Sequence, residues 1–442
     1  MQVESSWDPP EHWIITLNKG FASGLGIGFG GSALKGVFRA GRFFMFSILG
    51  EARIAYHSVV LRMLKQRKNK AFGAMRVFRA QSILGFDQLR SEPLMVGEPS
   101  IREPNFATQT RNENERYPDL RFSKIRNGIV CSNRRFSMVL AGSNLLLPPS
   151  VDQGPWKLFR GKPEVAGVVA QRENDVLIKV GIPRQAPQGG IFVGTLSPHN
   201  WYHWLIDTMP SVHLAANLPS AYSDYPILLP EKVRQKKSWM EPLELLLEGR
   251  SIAWIPENGY LQVPDLIWVD SPTSPGPVPQ VFEGNAKYRI HGTALLEYRQ
   301  KLLAGLGLDE SKFFPHRKIF MTRKQDGNRP YNQSELARVA ERFGFESIDF
   351  QGLTLLETAT IMLESDHLIG AHGAGWASSI FAKPDRKWAM WTWREELADN
   401  WFANIAKLRN ADLSVLLTSN KVAKSTHLSP KILEDYLNKV SK

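Results

Sequence analysis

The chain has 442 residues, of which 43% are hydrophobic and 22% charged, and this composition excludes collagen-like and disordered proteins. At roughly 100–200 residues per domain, its length predicts two or three domains. The single cysteine, Cys131, cannot close an intrachain disulfide, which favours a reducing compartment, and the cytoplasm is the expected location. Glu4 and Asp8 lie where a secretory signal would be basic, and no apolar stretch is long enough to predict a membrane span.

Positive charge is concentrated near the N-terminus. The net charge of the chain is +12, and residues 19–79 contain twelve Lys or Arg and one acidic residue, Glu51. Aromatic residues such as Phe43, Phe44 and Phe46 lie among these cations, a mixture typical of a helix on an anionic membrane surface. A solvated or partner-binding arm is the alternative. No nucleic-acid motif accompanies the charge, so we expect no nucleic-acid partner. The sequence predicts an arm over residues 1–120, with residues 19–80 at the inner face of the cell membrane.

A glycine-rich stretch in this arm matches G-x-G-x-x-G at Gly26, Gly28 and Gly31. Eight residues separate the nearest strand candidate, residues 13–17, from the first glycine, where a dinucleotide-binding fold needs a tight turn. A loop is therefore the favoured interpretation. A dehydrogenase built on these glycines is the weakest of the functional hypotheses.

Two α/β domains are predicted after the arm, over residues 121–275 and 276–442. Short β-branched runs from residue 122 predict strands, and helix and strand patterns alternate from residue 201 onward. The proline-rich residues 271–279 predict a stiff connector. The alternation after residue 285 is typical of a parallel, doubly wound sheet, and ligands of such sheets bind at the carboxyl ends of the strands.

The first motif with chemical potential lies on a predicted helix, residues 201–218. His203 and Asp207 are four residues apart, so they share one helix face and form a candidate general-base pair. The alternative is a purely structural pair in a buried helix.

The second motif is a predicted strand that ends in Arg323, followed by a loop with Arg329 and a helix that begins near Asn332. Cations at a strand end beside a helix N-terminus would suit a diphosphate, although solvated arginines are the plainer interpretation. Asn332 and Glu335 have the spacing of a capping box.

The third motif is an apolar strand that runs into His372, Gly373 and Gly375. Glycines here would let bare backbone approach a ligand, while the imidazole lies at the strand end. The alternative is a tight turn with an incidental histidine.

These three motifs, in this order, resemble glycosyltransferase family 61, which includes bacterial capsular polysaccharide biosynthesis enzymes and eukaryotic N-acetylglucosaminyl- and xylosyltransferases. The resemblance covers about residues 190–410. It implies a GT-B-like fold with two Rossmann-like domains facing a cleft, inversion at the anomeric carbon, no obligatory metal and no cofactor, the nucleotide sugar being a substrate.

The same resemblance suggests roles for residues of this chain. Asp207 or His203 would be the base, and His372 would contact the donor sugar or its phosphates. The donor site would include six residues: Arg323, Arg329, Asn332, Glu335, Gly373 and Gly375. The expected acceptor is a glycan or lipid-linked glycan in bacterial surface polysaccharide synthesis. A non-catalytic scaffold that binds glycan or nucleotide at the membrane is the alternative function.

Overall fold

The computed structural model describes sixteen stretches of the chain: residues 55–61, 63, 71–72, 75–83, 86, 90–99, 116–132, 137–147, 167–186, 188–194, 197–274, 289–324, 330–393, 401–418, 421–422 and 425–441. The glycine-rich stretch and most of the basic segment lie outside these residues, so their predicted roles stay predictions. Arg329 also lies outside them. Among the helices of the described residues, none is long and apolar enough to cross a membrane.

The N-terminal part of the described chain builds a thirteen-stranded sheet. Its strands are β1 Ala71–Phe72, β2 Met75–Ser82, β3 Arg90–Met95, β4 Leu120–Ser132, β5 Ser137–Ala141, β6 Asn144–Leu147, β7 Val168–Arg172, β8 Asp175–Lys179, β9 Arg184–Gln185, β10 Gly189–Phe192, β11 Ile227–Pro230, β12 Ile252–Ile255 and β13 Tyr260–Val269. Strands β12, β11, β10 and β13 are neighbours and pair in parallel. Strand β4 then pairs with β13 in the antiparallel sense, as do most of the pairs beyond it.

The mixed sheet corrects two expectations. Only the four parallel strands agree with the Rossmann-like N-terminal domain that was expected. Antiparallel strands extend the sheet beyond them. The predicted arm over residues 1–120 also extends too far, because β2 pairs with β8 and β3 pairs with β4. Phe78 and Ala80 of β2 are buried in one core with Cys131 of β4. The described residues between 75 and 95 that form β2 and β3 therefore belong to the sheet.

The C-terminal part contains the predicted parallel sheet, with five strands in the order β17-β16-β18-β19-β20. These strands are β16 Arg317–Thr322, β17 Glu346–Asp349, β18 Ser365–Ala371, β19 Lys387–Thr392 and β20 Asp412–Leu417. Two short ladders lie elsewhere, β14 Thr273–Ser274 with β15 Arg289–Ile290 and β21 Lys421–Val422 with β22 Ser425–Thr426.

In the described part of the chain, seven α-helices with bounds at both ends accompany these sheets. They are α1 Met209–Ala216, α2 Lys237–Leu246, α3 Gly292–Gly305, α4 Gln333–Arg342, α5 Leu355–Glu364, α6 Trp401–Leu408 and α7 Pro430–Val440. Helix α5 begins with a capping box, in which Thr354 and Glu357 satisfy each other's backbone amides. A π-helix, His203–Thr208, leads into α1.

Helix α3 contacts both parts of the chain. The Tyr298 hydroxyl donates to the carbonyl of Leu205 at 2.9 Å, which fixes α3 to the N-terminal part. The guanidinium of Arg299, one residue on, donates to the carbonyls of Ile380 and Phe381 at 2.8 and 3.0 Å. One continuous apolar core includes side chains from both parts. The described residues from 57 onward form one compact unit.

Candidate functional site

The order of the C-terminal sheet fixes where a ligand can bind. From β16 the chain crosses to β17 on one side, and then returns to β18 on the other side of β16. This reversal opens a crevice at the carboxyl ends of β16 and β18, the usual ligand position in doubly wound sheets. Those strand ends are Thr322 and Ala371, so the crevice lies beside Arg323 and His372.

A cavity of about 590 Å³ lies at this crevice, and both parts of the chain line it. The volume is in the range of small-molecule sites. The N-terminal part contributes six residues: His199, Asn200, Trp201, Lys236, Ser238 and Trp239. The polar residues from the C-terminal part are Thr322, Arg323, Asp349, Gln351, Thr358 and Ser378.

Arg323 is held at the cavity wall by three contacts. Its backbone amide donates to Oε1 of Gln333 at 2.9 Å, and its Nη1 donates to the carbonyl of His372 at 3.2 Å. Its guanidinium carbon lies 5.0 Å from the centre of the Tyr331 ring. A Cβ at Gly373 would come 3.2 Å from Nη1, so glycine there allows the guanidinium to pack against bare backbone. Gly373 and Gly375 both line the cavity, and their role in a donor site stays a prediction.

The opposite lining is built on stacked tryptophans. Trp204 of the π-helix lies 5.7 Å from Trp239, centre to centre, and donates from Nε1 to the carbonyl of Trp239 at 3.0 Å. Trp201 donates from its indole nitrogen to Oγ of Ser378 at 3.1 Å, a contact between the two parts of the chain. The Nζ of Lys236 lies 3.9 Å from the centre of the Trp239 ring.

His203 and Asp207 form a buried, hydrogen-bonded pair. Nδ1 of His203 lies 2.6 Å from Oδ2 of Asp207, and the other carboxylate oxygen accepts from Oγ1 of Thr273 at 2.8 Å. The side chains of His203 and Asp207 are 7% and 3% exposed. The π-helix still places residues four apart on one face, and π-helical turns are common at functional sites. The side-chain oxygen of Asn200 accepts from the amide of Tyr202 at 2.9 Å, in the helical turn that precedes the π-helix.

The predicted catalytic residues gather beside the cavity rather than on its lining. The His203 ring lies 5.0 Å from the Trp401 ring, and the His372 ring lies 5.0 Å from the Phe402 ring, centre to centre. Both histidines therefore contact the first turn of α6. His203, Asp207 and His372 are not among the described lining residues. The residues just before His203 do line the cavity: His199, Asn200 and Trp201.

Two predicted donor-site residues have a different place. Nδ2 of Asn332 donates to Glu335 at 2.8 Å and to the carbonyl of Leu428 at 2.9 Å, and its oxygen accepts from the Leu428 amide. Neither residue lines the cavity, and the Asn332 side chain does not cap α4. The geometry gives this pair the role of tethering the segment before α7. The capping box predicted from their spacing is wrong.

Several lining residues lie outside the three motifs found in the sequence. Lys236 and Asp349 stand in ordinary positions, one before a helix and one at the end of an edge strand, and neither carries a motif signal. A general rule could have found Asp349, because acidic side chains at strand ends of such sheets bind ribose hydroxyls. Thr273 had no local signal, because its partner Asp207 is 66 residues away.

Residues 201–388 match the family model described as Glycosyltransferase 61. Among curated proteins, none matches the chain. The matched range begins at the π-helix of His203 and Asp207 and continues through Arg323 and the His372 turn to β19. It thus contains the cavity residues from both parts of the chain except His199 and Asn200. The three motifs and most of the cavity lining lie in this matched range, so residues 201–388 of the chain are similar to glycosyltransferase family 61.

Proposed function

We propose that this protein transfers a sugar from a nucleotide-sugar donor to a glycan or lipid-linked acceptor by one inverting displacement. The cavity at the reversal point of the parallel sheet, with Arg323 at its wall, is the observation that carries the proposal. A nucleoside diphosphate needs a concave site with a cation and accessible backbone groups. In this cavity, Arg323 supplies the cation and Gly373 leaves the neighbouring backbone accessible. Asp349, at the end of β17, is our candidate partner for the ribose hydroxyls.

His203 rather than Asp207 is the proposed base. Each oxygen of Asp207 already accepts or shares a hydrogen bond, one with Thr273 and the other with Nδ1 of His203. The carboxylate therefore orients the imidazole and favours the tautomer with its proton on Nδ1. The remaining nitrogen, Nε2, can then accept the proton of the acceptor hydroxyl. The Trp401 ring beside His203 would shape the approach of the acceptor.

The acceptor oxygen bonds to the anomeric carbon as its proton moves to Nε2 of His203. The bond between that carbon and the phosphate oxygen breaks, and its electron pair leaves with the nucleoside diphosphate. Arg323 stabilises the negative charge that develops there, so that no metal is obligatory. We place His372 near the donor sugar, because its carbonyl accepts from Arg323 and its ring lies against α6.

Replacing Arg323 with alanine tests the donor site. We expect a nucleoside diphosphate or nucleotide sugar, in chelator and without metal, to raise the melting temperature of the wild type. Loss of a hydrogen bond from a charged group costs about 1.5–3 kcal/mol, so Arg323→Ala should bind that ligand roughly 10- to 100-fold more weakly. Calorimetric titration measures the change. The control is Arg338→Ala, which removes an exposed guanidinium on α4.

Three results separate the hypotheses. Binding that depends on Arg323, followed by release of the nucleoside diphosphate from the matching nucleotide sugar, supports transfer. Binding without turnover in the presence of glycan acceptors favours the non-catalytic scaffold. Absence of any nucleotide binding by folded wild-type protein would contradict the donor site.

From the basic segment we infer that the protein works at the inner face of a cell membrane, and the family resemblance suggests a lipid-linked acceptor in bacterial capsular polysaccharide synthesis. We expect the protein to sediment with vesicles of anionic lipid but not with neutral vesicles, since each cation contributes about 1 kcal/mol near such a surface. Neutralising a cluster of five cations to glutamine should weaken vesicle binding at least tenfold: Arg62, Lys65, Arg67, Lys68 and Lys70. A control variant neutralises five exposed cations elsewhere: Lys237, Lys312, Arg338, Lys431 and Lys439. Equal binding by the two variants would contradict the membrane role.

A further inference from the structure

A second cation faces the cavity from the N-terminal part of the chain. Lys236 lines the cavity, and its ammonium group lies 3.9 Å from the centre of the Trp239 ring. The same nitrogen lies 3.5 Å from the carbonyl oxygen of His199, to which it donates. Trp239 is itself fixed by Trp204, so the ammonium group is held in place from two sides.

Among the residues that the structure describes, no carboxylate neutralises the charge of Lys236. Within the stretches that the structure describes, no Asp or Glu oxygen lies within 4.0 Å of its Nζ, whereas nearby Lys232 pairs with Glu257 at 3.0 Å. Burial against the cavity wall lowers the pKa of Lys236, because a desolvated ammonium ion is less stable in its charged form. A cation that is partly desolvated beside a cavity and lacks a protein counter-ion is suited to an anionic ligand.

The cavity itself contains the charge pattern of a diphosphate site. Among the described lining residues, Asp349 is the one carboxylate, whereas Lys236 and Arg323 are cations contributed by different parts of the chain. Two cations that line one enclosed space match two linked phosphates better than they match a neutral sugar. Arg323 offers a planar fork for one phosphate, and Lys236 offers a point charge.

We propose that Lys236 binds the donor diphosphate together with Arg323 and stabilises the leaving group from the N-terminal side. This inference rests on the proposed function and adds to it a residue that the three sequence motifs do not contain. When the bond from the anomeric carbon to the phosphate breaks, its electron pair adds one negative charge to the departing diphosphate. An ammonium group beside that oxygen therefore stabilises the transition state more than it stabilises the bound donor.

The binding test compares Lys236→Met with Lys237→Met. Lys237 is the next residue, also an exposed lysine but absent from the cavity lining, so it controls for net charge. The probes are nucleoside diphosphates and monophosphates, titrated calorimetrically into each variant. We expect Lys236→Met to bind the preferred diphosphate at least tenfold more weakly, with a smaller loss for the monophosphate. Lys237→Met should match the wild type, and Lys236→Arg should recover part of the affinity.

The kinetic test separates an effect of Lys236 on kcat from an effect on the KM of the acceptor. With the matching nucleotide sugar at saturation, we expect kcat of Lys236→Met to fall at least tenfold while KM for the acceptor stays constant. A change confined to the acceptor KM would overturn the inference, because Lys236 would then serve the acceptor.

The failures of the two proposals can be told apart. If the wild type binds no nucleotide, the donor site itself is wrong. If the wild type and Lys237→Met bind a diphosphate and Lys236→Met binds it equally well, the donor site stands and the role of Lys236 is refuted. Circular dichroism and the melting temperature of each unliganded variant show whether it is folded.

Discussion

Replacing His203 with glutamine is expected to lower the rate of sugar transfer by about 10²- to 10⁴-fold, the usual contribution of a general base. Glutamine can still donate to Asp207, but it cannot accept the acceptor proton. The measurement is kcat at saturating donor and acceptor, with calorimetry to show that donor affinity is unchanged. His316→Gln, which alters an exposed histidine, is the matched control.

Two further variants test the arrangement around His203. Thr273→Val removes the hydrogen bond to Oδ1 of Asp207 and should reduce kcat less than His203→Gln does, since it only loosens the orienting carboxylate. If His203→Gln keeps full kcat and loses only stability, the pair is structural and the assignment of the base is wrong.

Replacing Arg299 with methionine is expected to lower the free energy of unfolding by about 1.5–3 kcal/mol, the cost of losing hydrogen bonds to a charged group, because its partner Glu310 is 32% exposed. The Arg299 side chain is 2% exposed, and its guanidinium donates twice to Glu310, at 2.7 and 2.8 Å. Burial by itself raises the pKa of Glu310, but the hydrogen bonds and charge of Arg299 outweigh it and hold that pKa below its usual value. Without Arg299, the carbonyls of Ile380 and Phe381 also lose their donor.

The measurement for Arg299→Met is urea denaturation followed by tryptophan fluorescence. Lys301→Met is the control on the same helix, because Lys301 forms a surface ion pair with Glu248, and such pairs contribute about 0–1 kcal/mol. Equal destabilisation by the two variants would show that Arg299 does not join the two parts of the chain in the way the contacts indicate.

Local sequence patterns predicted the C-terminal sheet well. The alternation predicted after residue 285 agrees with the five parallel strands and the helices between them. Their apolar spacing and their boundaries depend on neighbours within a few residues, so they are visible in the sequence. The strand ends then place Arg323, His372 and the two glycines in one crevice, which explains why that part of the candidate site could be predicted.

The other parts of the fold and of the candidate site depend on contacts between distant residues, which the sequence did not predict. The spacing of Asn332 and Glu335 predicts a cap, but the Asn332 side chain binds Leu428, 96 residues away. The mixed N-terminal sheet pairs strands from separate stretches, such as β2 with β8, and short strand patterns do not specify their partners. Lys236 is placed at the cavity by contacts with the Trp239 ring and the His199 carbonyl, and a lysine before a helix has no distinguishing signal in the sequence.

The π-helix makes the length of one short segment as important as its composition. A π-helix arises where a helix contains one residue more than α-helical turns accommodate. Deleting a single residue between His203 and Thr208 would let the segment return to α-helical geometry and rotate everything before it by about 100° relative to α1. Asn200 and Trp201 would then turn away from the cavity, and His203 away from the carboxylate that orients it. In relatives of this chain, a one-residue gap at this place would therefore mark loss of the active site even where every motif letter is retained.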